Sequence, residues 1–409
     1  MRMVEAALVA SEMEELELRV YDLSEVSKDE LTQDLLTFDP DVLGFSAYLW
    51  SFPFFIEVAT LLKLDDPRRL VVFGGPSARP SMMNLSPYRN AKPFIDALVI
   101  NEGELTFLEI VALRNRSEAA LRQISGLALP TEDGWFKTPP RPLGDLNSLP
   151  SPYRLGLVPR GGLGVLQTYR GCPFTCSFCE WGTLESPKRV RSVDGLCGEF
   201  ESMDRAEVHG ALLVDAGLNL NHHAFRNLGE AAAQTKFFAD RHFICEVYPA
   251  KIQDEHLDFL ANVGRPLVGM GLQSFDNDVL AHVERSYDEV RFEEHLRRLT
   301  EIAGVAVEII LGLPGDNPDN FRRSFERART LPCALRVYHC VVLPSALMIR
   351  APANYDMAFD PVTLKMRSCL GWTATDLQRE IDFVTREAEA QGGRSGQFFW
   401  IFPPPGTLY

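Results

Sequence analysis

Three cysteines lie within eight consecutive positions of the chain, at Cys172, Cys176 and Cys179. Thiolates spaced in this way on one tight loop can converge on a single metal centre. A [4Fe–4S] cube has four irons, so three cysteines leave one iron without a protein ligand. An iron with an open position can bind a ligand and help to cleave it, rather than only pass electrons. The spacing therefore predicts a [4Fe–4S] cluster with one accessible iron.

A structural zinc site is one alternative for these thiols, and a chance group of inert reduced thiols is another. Zinc sites usually take four ligands from two Cys-x-x-Cys pairs. The chain has no second pair, and Cys197 lies 18 positions beyond Cys179 without a neighbouring partner. The pattern favours the iron–sulfur cluster over both alternatives.

The composition narrows the class of protein and its partners. The chain has 409 residues, which suggests two or three domains, and its net charge of −15 disfavours nucleic acid and membrane surfaces as partners. No apolar run approaches the roughly 18 residues of a membrane span, and residues 1–12 do not resemble a signal peptide. We expect a cytoplasmic protein, because a reducing compartment suits an oxygen-sensitive cluster.

Short apolar runs alternate with helical patterns over the first 126 residues. The runs at 41–48, at 70–78 and at the start of 95–113 are typical of buried parallel strands, and residues 53–63 follow a helical pattern. Residues 16–23 alternate like a further strand. This order predicts an α/β domain with a parallel sheet covered on both faces.

Residues 127–160 are rich in proline and glycine and are predicted to link two domains. The strand–helix alternation then resumes over residues 161–345, and it fades in a C-terminal extension, residues 346–409. Six strand candidates are too few for an eightfold barrel, so we expect a partial (β/α)6 barrel of the TIM type. The candidates are residues 163–169, 210–217, 242–249, 267–274, 305–315 and 335–344.

The cysteine motif directly follows the first of these six strands, and it resembles that of the radical S-adenosylmethionine (SAM) superfamily. The superfamily's signature is Cys-x3-Cys-x2-Cys, and the resemblance extends from about residue 160 to about residue 345. It implies that the open iron binds the amino and carboxylate groups of SAM. One-electron reduction would then cleave SAM to methionine and a 5′-deoxyadenosyl radical, while the protein orients the cofactor.

Other stretches resemble the family's SAM-binding positions. The resemblance places the Phe178 backbone at adenine, Glu246 near the amino group or ribose, Gln273 at the ribose and Arg285 at the carboxylate. The spacing of the last three agrees with a coproporphyrinogen-oxidase-like branch. Each of them could instead be a salt-bridged strand end, a loop contact or a surface residue. The implied set is completed by Asp215 at the family's Gly-Gly-Glu-Pro position and by Gly312 and Pro314 in a turn near adenine.

Residues 1–126 resemble the domain that precedes the barrel in the cobalamin (B12)-binding branch of the superfamily. The matching stretches are DVLGFSAY, VVFGGPSA and NEGELTF. The resemblance implies a flavodoxin-like sheet whose loops at Ser46, Gly74, Gly75 and Glu102 face cobalamin. The alternative is that these turns only connect strands to helices.

Two departures from that branch affect the cobalamin prediction. The chain starts within the expected first helix, so the family's first strand is missing, through truncation or degeneration, and one sheet edge should be open. In addition, no histidine precedes His209. Cobalamin bound here would therefore have no histidine lower ligand from the N-terminal domain.

The combined resemblance implies a cobalamin-dependent radical SAM methyltransferase that methylates carbon in a small molecule or natural-product intermediate. An electron donor such as flavodoxin or ferredoxin would be needed. A cobalamin-independent cyclase or rearrangement enzyme is the first alternative, and a non-catalytic iron–sulfur protein is the second. A methylthiotransferase is disfavoured because no cysteine precedes Cys172.

Aromatic residues of the C-terminal extension are candidates for stacking on a planar substrate, although burial in the core is the more common role of such residues. They are Trp372, Phe398, Phe399 and Trp400. Trp181, directly after the cysteine motif, is predicted to shield the cluster or to meet cobalamin.

Overall fold

The computed structural model describes residues 1–22, 25–181 and 189–406 of the chain. The chain divides into two compact units, each with its own main β-sheet. Within the described ranges, no helix is both long and apolar enough to cross a membrane. Unit 1 comprises Met1–Leu157, Leu343–Ile349 and Pro361–Leu364, and unit 2 comprises Val158–Val342, Arg350–Asp360 and Lys365–Tyr409.

Unit 1 contains a five-stranded sheet in which the strands follow chain order. They are β1 (Val42–Ser46), β2 (Leu70–Gly74), β3 (Ala97–Val99), β4 (Leu127–Thr131) and β5 (Gly134–Lys137). The first three strands are parallel, and Ser46 pairs with Gly74, so their carboxyl ends lie at one edge. The parallel strands are almost entirely apolar, as expected for strands with both faces covered.

Helices precede and separate the strands of unit 1, and one of them, Phe52–Asp65, covers the helical pattern predicted for residues 53–63. They are α1 (Arg2–Val9), α2 (Lys28–Phe38), α3 (Phe52–Asp65), α4 (Pro80–Met83), α5 (Ser86–Arg89), α6 (Glu104–Val111) and α7 (Glu118–Leu121). Helix α2 begins with a capping box, in which the side chains of Ser27 and Glu30 accept hydrogen bonds from each other's backbone N–H groups.

Two segments of unit 1 differ from the sequence prediction. Residues 16–22 form no strand, because none of the described strands lies beside them to complete their backbone hydrogen bonds; Leu23 is outside the described residues. Residues 127–137, predicted as the start of the linker, form the β4–β5 hairpin on the edge of β3. Asp133-Gly134 is a hairpin turn signal that the linker prediction overlooked. In the described chain β1 pairs only with β2.

Unit 2 contains an eight-stranded sheet whose first six strands are parallel and adjacent in chain order. They are β6 (Gly164–Leu166), β7 (Gly210–Leu213), β8 (His242–Val247), β9 (Arg265–Gln273), β10 (Gly304–Leu311) and β11 (Ala334–His339). All six strand candidates of the sequence are present. The predicted α/β class and the partial (β/α)6 barrel are confirmed.

Helices separate these strands along the chain. They are α8 (Val193–Arg205), α9 (His222–Thr235), α10 (Asp254–Ala261), α11 (Asn277–His282), α12 (Glu289–Thr300) and α13 (Pro318–Arg329). Most begin at a residue whose side chain accepts a backbone N–H of the first turn, such as Ser192, Asn221 and Asn317. Each of these capping residues marks the end of a loop that starts at the carboxyl end of a strand. Barrel enzymes place their active sites at that end of the barrel.

The C-terminal extension adds further elements, which the sequence analysis did not predict: several very short strands and one long helix. They are α14 (Leu347–Arg350), β12 (Ala358–Phe359), β13 (Met366–Ser368), α15 (Ala374–Ala390), β14 (Arg394–Ser395) and β15 (Phe399–Phe402). Strand β15 pairs antiparallel with β11, and β14 pairs with β15. The extension therefore continues the barrel sheet beyond its sixth strand.

Candidate active site

The cluster loop, defined here as residues 170–181, follows strand β6 and carries the three cysteines. Gly171 has a φ of 106°, which favours glycine, and it turns the chain into the loop. Thr168 and Tyr169 come just before the loop. Their N–H groups (2.9 and 3.3 Å) and the Thr168 hydroxyl donate hydrogen bonds to the buried carboxylate of Asp215. The segment after β7 thus holds the start of the loop.

The three cysteines are free thiols, and backbone groups point at two of them. Burial raises the pKa of Cys172, and it raises the pKa of Cys179 to about 11. The N–H groups of Phe174 and Trp181 donate to these two sulfurs and partly offset the rise. Hydrogen bonds to sulfur are among the contacts that tune iron–sulfur clusters. The thiols would release their protons on binding metal.

The loop fits a cluster better than it fits a single ion. Among the described residues, no group of three His, Cys, Asp or Glu side chains is arranged to hold one metal ion. In a cube each thiolate binds a different iron, so the sulfurs surround a larger centre. After burial, the negative charge of the Cys176 thiolate is a further cause that raises the pKa of Cys172 and Cys179.

Arg285 lies against the cluster loop, as the resemblance implies for the partner of the SAM carboxylate. Its Nη1 is 3.9 Å from the Cys176 Sγ, and its Nη2 donates to the Gly271 carbonyl. The guanidinium lies 4.7 Å from the ring centroid of Tyr248, which stacks on Phe174 of the loop at 4.4 Å. The stack and the hydrogen bond together hold this positive charge in one orientation.

Strand β9 gives the predicted SAM-binding residues room to come together. A methyl group on Gly271 would lie 2.8 Å from Nε2 of Gln273, 3.5 Å from Nη2 of Arg285 and 3.9 Å from a carboxylate oxygen of Glu308. Gln273 has a φ of 76° beside a register shift between β9 and β10. Such strain is common at functional sites, and here it accompanies a Gln273 side chain that folds back towards Gly271.

Glu246, on the neighbouring strand β8, lies over Gly269, where a side chain would overlap its carboxylate. Burial, followed by the negative charge of Glu308, raises the pKa of Glu246. Arg336 contacts both carboxylates, at 3.1 Å from Glu308 and 3.7 Å from Glu246. When both acids are ionised, the group carries one net negative charge and attracts a cation such as an amino group.

Glu308, Arg336 and Tyr338 are site residues that the sequence analysis did not single out. The Tyr338 hydroxyl is 3.3 Å from Oε1 of Glu308, which is buried. A signal was available, because a glutamate interrupts the apolar run VAVEIIL of β10. A buried acid requires a partner, and that partner had to come from a neighbouring strand.

The remaining barrel residues predicted to bind SAM lie in more ordinary surroundings. Phe178 is half-buried in the cluster loop, and Gly312 has a φ of 88° in a turn that contains the buried Pro314. The Trp372 Nε1 donates to the Leu313 carbonyl of this turn at 3.1 Å. Packing is enough to explain why the turn adopts this conformation. Hydrogen bonds from Thr168 and Tyr169 are enough to explain why the Asp215 carboxylate is buried. Contacts of these residues with SAM stay predictions.

Ser46, Gly74, Gly75 and Glu102 lie at or just after the carboxyl ends of the three parallel strands of unit 1. Gly75 has a φ of 94°, and a side chain there would come 2.7 Å from the Ala47 carbonyl, so the turn requires glycine. Ligands of open α/β sheets bind at this edge. The grouping agrees with the predicted cofactor edge, and contact with cobalamin stays a prediction.

The aromatic residues of the extension divide between core and surface. Trp372 and Trp400 are buried, and the Trp400 Nε1 donates to Thr385 at 2.9 Å. Phe398 is half-buried, and Phe399 is 37% exposed. The core explanation is therefore supported for the two tryptophans. Trp181 is 36% exposed at the end of the cluster loop. Its role as a shield of the cluster stays a prediction.

Two family matches cover most of the two units. Residues 1–111 match the B12 binding domain, and residues 166–328 match the radical SAM superfamily. The second range includes the cluster loop, Glu246, Gln273 and Arg285. Both domains implied by the sequence resemblance are thus present.

Two curated relatives are named as methyltransferases, and the name of one of them includes both cobalamin and radical SAM. The chain is 29% identical over 336 residues to 2-(S-pantetheinyl)-carbapenam-3-carboxylate methyltransferase of Streptantibioticus cattleyicolor. It is also 29% identical over 336 residues to the cobalamin-dependent radical SAM methyltransferase TokK of Streptomyces tokunonensis. Each alignment covers 75% of this chain and 48% of the relative. The chain therefore spans about half the length of these relatives.

A solved structure shares the fold of the chain. It is the radical SAM methyltransferase TsrM of Kitasatospora setae with cobalamin and a [4Fe–4S] cluster bound, with a TM-score of 0.67 at 19% identity. The match covers 100% of this chain and 82% of that one. The solved structure shows the shared fold, and the two family matches establish the class: residues 166–328 belong to the radical SAM superfamily and residues 1–111 to the B12 binding domain family.

Proposed function

We propose that this chain is a cobalamin-dependent radical SAM enzyme that methylates a carbon centre in a small molecule or natural-product intermediate. One observation carries the proposal: the cluster loop, Arg285, Gln273 and the Glu246–Glu308 pair gather at or near the carboxyl ends of β6 to β10. Methyl transfer is favoured over other reactions because the two relatives above are named as methyltransferases.

Two oppositely charged groups of the barrel would bind the two charged ends of the amino acid part of SAM. When bound, the cluster supplies one-electron cleavage of SAM, and cobalamin supplies a carrier for the methyl group. Cys172, Cys176 and Cys179 would hold the cluster. Arg285 would pair with the SAM carboxylate, and the group of Glu246, Glu308 and Arg336, which is net negative when both acids are ionised, would attract the SAM amino group. Opposite charges at the two ends of the amino acid moiety fix its direction.

The N-terminal domain and an outside protein complete the proposal. Ser46, Gly74, Gly75 and Glu102 would line the cobalamin site at the sheet edge, where Gly75 lets the turn pack closely on the Ala47 backbone. Flavodoxin or ferredoxin would donate the electron. A small-molecule substrate agrees with the strong negative charge of the chain, which repels nucleic acids.

Product analysis tests the proposal directly. The purified full chain is reconstituted anaerobically with iron and sulfide, then incubated with SAM, a low-potential reductant and hydroxocobalamin. We expect 5′-deoxyadenosine and S-adenosylhomocysteine, and both should be lost in Cys176→Ala. The matched control is Cys197→Ala, which removes a half-buried thiol outside the loop and should keep both products.

The alternatives predict different results in the same assay. A cobalamin-independent cyclase would form 5′-deoxyadenosine but retain no corrinoid and form no S-adenosylhomocysteine. A non-catalytic iron–sulfur protein would bind iron through the same cysteines and form neither product. Either result would overturn methyl transfer.

A further inference from the structure

One side chain of the C-terminal extension contacts the backbone of the cluster loop at several points. Arg350, the last residue of α14, donates from Nη1 to the Thr175 carbonyl at 3.2 Å and from Nη2 to the Cys176 carbonyl at 3.1 Å. Its Nη2 also donates to the carbonyls of Ser177, at 3.4 Å, and Cys179. One guanidinium thus contacts four of five consecutive residues, including two of the three cysteines.

These contacts add to the backbone hydrogen bonding of the loop. The Cys179 N–H donates to the Cys176 carbonyl at 3.0 Å, and the Ser177 N–H donates to the Val283 carbonyl at 3.1 Å. Carbonyl groups in a partly buried loop need partners, and Arg350 supplies them from outside the loop. The planar fork of a guanidinium suits several acceptors at once, whereas the compact ammonium of lysine suits fewer.

The segment after Arg350 is hydrogen-bonded to the end of α11, which precedes Arg285 in the chain. Five residues further on, the hydroxyl of the buried Tyr355 donates to the His282 carbonyl at 2.5 Å. Val283, the next residue, accepts the hydrogen bond from Ser177. The extension, the end of α11 and the cluster loop are therefore joined by hydrogen bonds in unit 2.

The charge of Arg350 is directed at the loop. No carboxylate of the described residues forms an ion pair with it, and its Nε is buried without a hydrogen-bond partner. Its other two nitrogens both bind loop carbonyls. A salt bridge would have neutralised the charge, so its absence in the described chain leaves the full charge beside the cysteines.

We propose that Arg350 is a positioning residue for the iron–sulfur cluster: it holds the cysteine loop in its binding shape and favours the reduced state of the bound cluster. It acts through the loop backbone, by hydrogen bonds to carbonyl groups. The reduced cluster carries one more negative charge than the oxidised cluster, so a nearby cation raises its reduction potential. The second effect rests on the proposed function, while the first concerns the protein before it binds iron.

The first effect is measured without a cluster. The full-length iron-free protein is treated with iodoacetamide, and alkylation of each cysteine is followed by mass spectrometry. We expect Arg350→Gln to raise the rate at Cys176 about tenfold, because the loop opens more often once these hydrogen bonds are lost. Arg350→Lys should fall between this variant and the parent, and alkylation of Cys197, remote in sequence from the loop, should stay constant.

The control variant is Arg367→Gln, which removes an exposed arginine of the same extension that pairs with Asp360. It should leave the alkylation rate of Cys176 unchanged. An unchanged rate in folded Arg350→Gln, or an equal increase in Arg367→Gln, would overturn the positioning role. If Arg350→Gln does not fold, Arg350→Lys alone must show the increase for the role to stand.

The second effect is measured on the reconstituted protein. Iron and sulfide per chain and the reduction potential are compared between the parent, Arg350→Lys and Arg350→Gln. We expect a more negative potential in the glutamine variant and a value near the parent in the lysine variant, which keeps the charge. Equal potentials in all three would overturn the electrostatic role. A parent protein that binds no cluster would refute the proposed function but leave the alkylation result valid.

Discussion

Two glycines of β9 control which side chains can occupy the candidate SAM site. Gly269 leaves space for the Glu246 carboxylate, and Gly271 leaves space for the Gln273 side chain, with Arg285 and Glu308 at ordinary contact distance. The pattern puts charged groups over the bare backbone of a central strand. The candidate site therefore depends on two glycines, which have no side chain, as much as on the charged groups that would bind SAM.

The first prediction concerns Gly269→Ala. The added methyl group would overlap the end of the flexible Glu246 side chain, so we expect the carboxylate to move and the fold to be kept. SAM affinity, measured by equilibrium dialysis on the reconstituted protein, should fall about tenfold, which corresponds to about 1.4 kcal/mol. The control is Gly229→Ala in helix α9, where the methyl group meets nothing within 4 Å. Equal SAM affinity in the two variants would contradict the role of Glu246.

The second prediction is a pH dependence due to Asp215. Burial raises the pKa of this carboxyl to about 7, although hydrogen bonds from Thr168 and Tyr169 oppose the rise. The folded protein therefore keeps a proton that the unfolded chain releases above about pH 4. The free energy of unfolding should fall as the pH rises from about 4 to about 7, by at most about 4 kcal/mol from this group.

Asp215→Asn tests this assignment, because asparagine does not titrate. Urea unfolding at about pH 5 and about pH 7.5 should show a smaller loss of stability in the variant than in the parent. Other buried acids, such as Asp316, contribute to the slope of both proteins, so the difference between them isolates Asp215. Identical slopes would be incompatible with a protonated Asp215.

At the scale of elements, strand β15 shows how the extension is attached to the barrel. Its residues alternate between a buried face and an open face while it pairs with β11, which carries Arg336 and Tyr338. Phe402 is fully buried with its ring centroid 5.2 Å from that of Phe325. The extension thus adds core to the barrel beside two residues of the candidate site.

The third prediction compares the two faces of this strand. Phe402→Ala should lower the free energy of unfolding by about 3–5 kcal/mol, because it leaves a cavity in the core. Phe399→Ala, on the same strand but 37% exposed, should cost less than about 1 kcal/mol. Urea denaturation of the two variants measures the contrast, and similar losses would mean that β15 is not packed as described.

At the scale of the whole molecule, the distribution of histidines limits how cobalamin can be held. All eight histidines lie at or after His209, outside the range that matches the B12 binding domain. We therefore expect no histidine to occupy the lower position of bound cobalt. Imidazole nitrogen would otherwise split the electron paramagnetic resonance signal of the reduced Co(II) form.

The fourth prediction follows from this distribution. Protein grown with ¹⁵N-histidine and loaded with cobalamin should give the same Co(II) spectrum as unlabelled protein. Free cobalamin with an added imidazole provides the positive control. A change on labelling would show a histidine ligand and would refute the expectation.

The class of fold was predictable in detail because its signals are local. Each of the six barrel strands appears as a short apolar run between helical patterns, and each survives in the structure. Local signals also misled, since residues 16–22 alternate like a strand but have no neighbour among the described strands. A strand needs a partner, and the pattern of one segment does not reveal whether that partner exists.

The sequence by itself therefore determined the two-domain α/β class, the three cysteines on one loop and the residues resembling SAM contacts. Only the tertiary structure brought Glu308 to Arg336 across two strands, and Arg350 to a loop 175 residues away in the chain. The physical reason is range: loop chemistry and apolar periodicity act between residues close in sequence. The partners of a buried charge or an open carbonyl are decided by which strands and segments pack together.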